Sequence, residues 1–264
     1  PLMQAVSPGQ FRATLAHEMG HLAGNHSRFS GWVYRVRRAW AMLAAQQGDR
    51  ASVLMYPFFK WYEPFFRAYT FVLSRHDEYF ADRCSAQYAG TQNAAEDLIQ
   101  IYIKGAETIQ IWSDIYKQAA HQAQPPDDAI STVLDRLKAG TTPEKAQTWF
   151  EISLARPTDN DDTHPSLADR LQAYGYRYQN GKLPTLPLPV EQTAADSFLG
   201  HDIDWAVSLL NAEWQKENAQ LWQRLHQGGQ MRSQFFQQLS RRAQAQPLTV
   251  EAALKLALLT AEFE

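Results

Sequence analysis

The chain has almost no cysteine. Cys84 is the only one among 264 residues, so no internal disulfide can staple the fold and no cysteine cluster can hold a metal. Alone on a helical segment, it reads as a small core residue. Long apolar runs are missing too. Residues 51–73 contain Lys60, Glu63, Arg67 and two prolines, and nothing approaches the roughly 18 apolar residues a membrane span needs. Charge of one sign never accumulates. The net charge is −3, which favours neither nucleic acid nor an anionic membrane as a partner. The chain opens Pro-Leu-Met with no signal-peptide pattern and closes within a helical pattern, so both ends are expected to be cut points. What remains is the composition of a folded chain. Hydrophobic residues make up 45%, enough for one large domain or two small ones.

Against that background, His17-Glu18-Met19-Gly20-His21 is the informative segment. It reads H-E-x-x-H. On a helix, residues i and i+4 share a face one turn apart, so His17 and His21 can bind one zinc ion. Glu18 can then reach a water at that ion. The helix has local support. Ser7-Pro8-Gly9-Gln10 offers an N-cap hydroxyl, a proline at the first position and a glutamine at the third. Phe11, Leu15, Met19 and Leu22 follow at helical spacing, and Gly24-Asn25 is a stop signal.

Two later segments supply what this helix lacks. Ser74 to Asp82 should lie on a helix running from near Pro64 to Gly90, with Glu78 and Asp82 on one face. The Glu78 carboxylate can complete a His/His/Glu zinc set that leaves a catalytic position open. Asp82 can accept the free ring N–H of a ligand histidine, most simply His17. Small Ala81 allows close approach to the metal helix. In Thr163-His164-Pro165-Ser166-Leu167-Ala168-Asp169-Arg170, Pro165 can start a short helix that Gly175 ends. Either His164 or Arg170 could donate to an oxyanion, and spacing does not choose between them.

Together the three segments resemble the gluzincin metallopeptidases of the HtpX and CAAX-prenyl-protease type. That family carries H-E-x-x-H, then S-R-x-x-E-x-x-A-D, then H-P-x-x-x-x-R. All three stand here in order, at His17–His21, Ser74–Asp82 and His164–Arg170, and the resemblance covers roughly residues 7–172. It implies one zinc per chain on His17, His21 and Glu78, with Glu18 as general base and acid. It also implies a zincin-like core whose small β-sheet and membrane anchors lie upstream of Pro1. In several family members the stretch between the first two motifs spans the membrane; here it does not have that composition.

The expected fold is mainly α, with three parts. Residues 1–176 form a catalytic core, 177–198 a proline-containing linker, and 199–264 a helical C-terminal module. Further helices are expected at Phe29–Gln46, Asn93–Lys117, Ala129–Lys138 and Pro143–Leu154. Leu98, Ile101, Tyr102, Ile109, Trp112 and Tyr116 should form the buried stripe of the second of these. Tyr56–Tyr69 is rich in aromatics, suited to a core, to an apolar substrate wall or to a membrane-facing surface. The C-terminal module should hold three helices, Asp204–His226, Gln230–Gln244 and Thr249–Phe263, separated by Gly228-Gly229 and Pro247. Leu248–Ala257 faintly resembles the start of a tetratricopeptide array. His26 and His76 are candidates for groups near the site, whereas His121, His201 and His226 should be surface residues.

The functional expectation is a zinc-dependent endopeptidase acting on a polypeptide substrate, with His164 as oxyanion donor and Arg170 bracing its loop against an acid. No nucleic acid is expected. The resemblance implies a membrane-associated full-length protein, anchored through segments outside this chain, with the catalytic part facing the cytoplasm. The competing class is a catalytically silent scaffold that binds a protein partner through the C-terminal helices. Glu18 speaks against it, since a silent relative could lose that residue without losing the fold. A different zinc hydrolase, such as an amidase, could use the same site.

Overall fold

The computed structural model describes residues 1–23, 36, 50–158, 164–176, 186–187 and 189–263. Among these the regular structure is helical, with no strand. The helices are α1 (Leu2–Ala5), α2 (Pro8–Ala23), α3 (Arg50–Ala89), α4 (Thr91–Lys117), α5 (Ala129–Ala139), α6 (Pro143–Ala155), α7 (Leu167–Ala173), α8 (Ala194–Phe198), α9 (Asp202–Ala245) and α10 (Val250–Phe263). A short 3₁₀ turn, Gln118–Ala120, follows α4. No described helix is long and apolar enough to cross a membrane. All of the expected helix at Phe29–Gln46 but residue 36, together with His26 and most of the proline-rich segment, lies outside the described residues.

The chain forms two compact units. One holds Pro1–Ala106 and Leu137–Gly200, the other Glu107–Arg136 and His201–Glu264. The expected C-terminal module therefore shares its unit with residues 107–136. No described part of 177–198 belongs to that unit.

In the first unit, α2 begins with the reciprocal cap its sequence suggests. Ser7 N–H donates to Gln10 Oε1 at 2.9 Å, and Gln10 N–H to Ser7 Oγ at 3.3 Å. Its buried face is made by small and polar residues rather than by its apolar ones. Leu15, Met19 and Leu22 are 45%, 57% and 68% exposed, while Gln10, Ala13, Ala16 and Gly20 are buried. The reason is distance. A Cβ on Gly20 would lie 2.9 Å from Ala81 Cα, so α2 and α3 meet backbone to backbone through small residues. Ser85 Oγ donates to Ala13 C=O across the same seam at 2.9 Å. Cys84 belongs to this seam; its Sγ would stand 3.3 Å from that Cβ.

Helix α3 begins at Arg50 rather than near Pro64, and two prolines remove backbone donors without ending it. It stops at Gly90, whose φ of +86° is the left-handed conformation glycine tolerates. Upstream of the site, Trp61, Tyr62 and Phe65 are exposed, so these three do not pack in a core. Along α4 the large apolar residues that are buried are Leu98, Ile99, Ile103, Ile111 and Ile115, whereas Ile101 and Ile109 are exposed. Ile99, Ile103, Ile111 and Ile115 follow an i+4 ridge, which drifts about 40° per step around a helix. Ile99, Ile103, Phe150, Leu154, Leu167 and Leu171 form the apolar core beneath the site.

The second unit is built around rings. Trp112 stacks on Trp214 at 5.4 Å, and Trp214 meets Trp222 edge-on at 6.3 Å. Trp222 is fully buried and donates Nε1–H to Gln122 C=O at 2.9 Å. Helix α9 runs unbroken through Gly228-Gly229, against the expected break. A Cβ on Gly229 would fall 2.7 Å from Ala120 Cα, so this glycine serves close approach. Glycine inside a helix costs only about 1 kcal/mol relative to alanine, which packing can offset. His226 is half-buried, not on the surface, with Nδ1 2.8 Å from Ala119 C=O.

Candidate metal centre

The site lies wholly within the first unit. Helix α2 presents His17 and His21 on one face, with Nε2 atoms 3.1 Å apart. Helix α3 brings Glu78 against them. His17 Nε2 lies 3.6 Å from Glu78 Oε2, and His21 Nε2 lies 3.4 Å from Oε1. One donor atom from each of the three residues falls within 4.8 Å of the others. Glu18 is exposed, at the position following His17 on the same helix.

Asp82, one turn beyond Glu78, is 2% exposed and surrounded by donors. His17 Nδ1 lies 3.1 Å from its Oδ1. Arg170 grips both oxygens, Nε to Oδ2 at 2.9 Å and Nη2 to Oδ1 at 2.5 Å. Tyr174 O–H donates to Oδ1 at 3.1 Å. Burial pushes the Asp82 carboxyl up, but its hydrogen bonds from Arg170 and His17 outweigh that and hold it below its usual range. Burial would lower the Arg170 guanidinium; its bonds to Asp82 instead raise it. Burial and the Asp82 charge push the Tyr174 hydroxyl up, so it stays a donor. Tyr174 has no place in the three motifs. It stands four residues after Arg170, on the same helical face, and only that spacing could have marked it.

His164 reaches the centre from the entry to α7, with Nδ1 2.8 Å from Glu78 Oε2. Pro165 is buried behind it, and Ser166 rather than Pro165 caps the helix, accepting from Asp169 N–H at 3.2 Å. Gly175 follows the helix with φ +75°. Burial alone would raise Glu78; His164 and His21 beside it, with the Arg170 charge, bring it well below the usual carboxylate range. The Glu78 contact raises His21. His76 is exposed, with Nδ1 3.9 Å from its neighbour Asp77.

A further buried acid lies beneath α2. Asp97 on α4 is 4% exposed and accepts from Thr14 Oγ1 at 2.8 Å, while its Oδ1 has no hydrogen-bond partner. Burial pushes this carboxyl up to about 7. It is remote in sequence from every motif, and the sequence carries no signal for it.

The donor set fits a metal ion. Asp82 accepts from His17 Nδ1–H, so His17 Nε2 is left as a lone pair. It faces His21 Nε2 at 3.1 Å. Glu78 Oε2 is buried without a hydrogen-bond partner, although His164 Nδ1 stands close. A cation bound by two imidazole nitrogens and a carboxylate satisfies all three, and this is a ligand set zinc accepts with one position open.

The model of peptidase family M48 matches residues 1–177, which include every residue of this centre. No curated protein and no solved structure is similar enough to the chain to count as a match. With two thirds of its length matched, and with a metal-ligand set inside the matched region, the chain belongs to peptidase family M48, a family of metallopeptidases.

Proposed function

We propose that the chain is a zinc-dependent endopeptidase of the HtpX and CAAX-prenyl-protease type, acting on polypeptides in membrane-associated processing or quality control. One observation carries this reading: two imidazole nitrogens and a buried carboxylate converge beside an exposed glutamate. His17, His21 and Glu78 hold the ion. When bound, zinc polarises the scissile carbonyl and lowers the pKa of a water towards roughly 7. Glu18, exposed beside His17, would accept a proton from a water at the centre and hand it to the leaving amine. Asp82 fixes the His17 tautomer, and Arg170 with Tyr174 holds Asp82 in place.

The donor to the developing oxyanion is His164. Arg170 is buried and committed to Asp82, whereas His164 is exposed at the edge of the centre. Exposed Trp61, Phe65 and Val72 on the helix leading to Glu78 support an apolar or membrane-associated setting.

The test is chelation and repletion with an unfolded protein as substrate. Cleavage should stop on zinc removal and return with zinc. His164→Ala should lower kcat by about 10²–10³-fold at unchanged zinc content. Chelator-resistant cleavage overturns the zinc reading, and normal turnover of His164→Ala overturns the donor assignment.

A further inference from the structure

The Ser74-Arg75 part of the second motif has no role in the centre described above. Arg75 stands one helical turn before Glu78, with its guanidinium 5.3 Å from the Phe71 ring centroid. Its Nη2 lies 3.2 Å from Tyr79 Oη and 3.3 Å from Asp169 Oδ2. The same Asp169 oxygen accepts from Thr158 Oγ1 at 2.6 Å. Thr158 Oγ1 in turn accepts from Ser166 N–H at 2.7 Å. Ser166 Oγ closes the set by accepting from Asp169 N–H at 3.2 Å.

Thr158 and Ser166 bracket the chain that delivers His164. The His164 side chain is 56% exposed, so little packing surrounds it, yet its Nδ1 stands 2.8 Å from Glu78 Oε2. A ring that exposed takes its orientation from the backbone carrying it. Arg75 and Glu78 ride on one helix, and Asp169 and His164 on one loop-and-helix entry. The Arg75–Asp169 bond therefore ties the turn bearing Glu78 to the turn bearing His164.

We infer that Arg75, Asp169 and Thr158 are positioning residues that clasp the His164 entry to the Glu78 helix. The inference rests on the donor role proposed for His164. The guanidinium anchors the acid, the acid holds the threonine hydroxyl, and the hydroxyl fixes the Ser166 amide two residues beyond His164. Small errors in the placement of a donor cost rate rather than binding.

The experiment uses the whole chain with Asp169→Ala, Asp169→Asn and Thr158→Val, each alone and combined with His164→Ala. Two readouts come from zinc-free protein: hydrogen exchange at the Ser166 amide and the ring-nitrogen NMR signals of His164. Two come from zinc-loaded protein: zinc content, and kcat and KM on an unfolded protein. Asp169→Ala and Thr158→Val should speed Ser166 exchange and shift the His164 signals towards those of a free imidazole. They should lower kcat about 10-fold, with KM and zinc content unchanged. Asp169→Asn still accepts from Thr158 and should lose less. In the His164→Ala background the same changes should cost no further kcat. Unchanged Ser166 exchange and His164 signals in Asp169→Ala overturn the clasp whatever turnover does, and so does a full additional loss on top of His164→Ala. Normal turnover of His164→Ala with altered His164 signals supports the clasp and defeats only the donor reading.

Discussion

The two units bury different things. The interior of the first, around α2, α3 and α7, encloses charge: Glu78, Asp82, Asp97 and Arg170 are all buried. The second is organised by rings, with half-buried Trp112 against Tyr116 and Trp214, and both of these against the buried Trp222. Buried rings gain from leaving water, and their polar tips need one partner each, as Trp222 Nε1 and Tyr116 Oη have in Gln122 and Asn218. Buried charges gain little net stability even when paired, and an isolated one is costly. The ring-filled interior is thus arranged for stability. The charged one holds Asp82, and through it His17, at a price in stability that only a function explains.

The largest expected effect breaks the charged interior. Asp82→Ala strands the Arg170 guanidinium and should cost about 3–5 kcal/mol in urea unfolding. It should also weaken zinc affinity by about 10–100-fold in a competitive chelator titration. Sequence alone suggests only the second effect; the buried pair adds the first. Trp222→Ala is the counterpart in the ring-filled interior. It should cost about 3–5 kcal/mol as a cavity, with zinc affinity unchanged. Lost zinc affinity there would show that the two interiors are not separate in function.

Asp97 sharpens the contrast through pH. Its folded carboxyl is raised to about 7, above its value in the unfolded chain. Between the carboxylate range and pH 7 the unfolded chain therefore binds fewer protons, so stability falls as pH rises and the full penalty is present above 7. Asp97→Asn, which still accepts from Thr14, should match the wild type near pH 4 and be more stable by roughly 2–4 kcal/mol at pH 8. Parallel stability–pH curves would refute this. The smallest effect on stability is expected from replacing the whole pair. Asp82→Leu with Arg170→Met should change stability by less than about 1–2 kcal/mol, since apolar replacement of a buried ion pair is often neutral, while zinc affinity falls as in Asp82→Ala.

Much of the site is legible in the sequence because metal chemistry is local. His17 and His21 need only one helical turn between them, and Glu78 and Asp82 another. What brings the turns together is not local. Apolar periodicity in α2 points to Leu15, Met19 and Leu22, yet the helix packs on Gly20 and its small neighbours because α3 comes so close. A seam of small residues leaves no hydrophobic signal. Gly229 misleads in the same way: close approach to Ala120 and a helix stop look alike in a sequence. Tyr174 is marked only by standing four residues after Arg170, and Asp97, which accepts from Thr14 beneath α2, lies near no motif at all. The mainly-α class was legible because strong helical periods recur along the chain. Residues 107–136 join the second unit across a long sequence interval, which no local pattern marks.

The most direct test of the central claim is a paired measurement on Glu18→Gln. Zinc content and cleavage of an unfolded protein are measured on the same preparations of wild type and variant. Glu18 is exposed beside His17 and is not one of the three metal donors. The variant should therefore hold one zinc per chain, as the wild type does, while cleavage falls by about 10²–10⁴-fold. Cleavage at the wild-type rate with zinc in place would contradict the account, because no other group in the centre is assigned the proton.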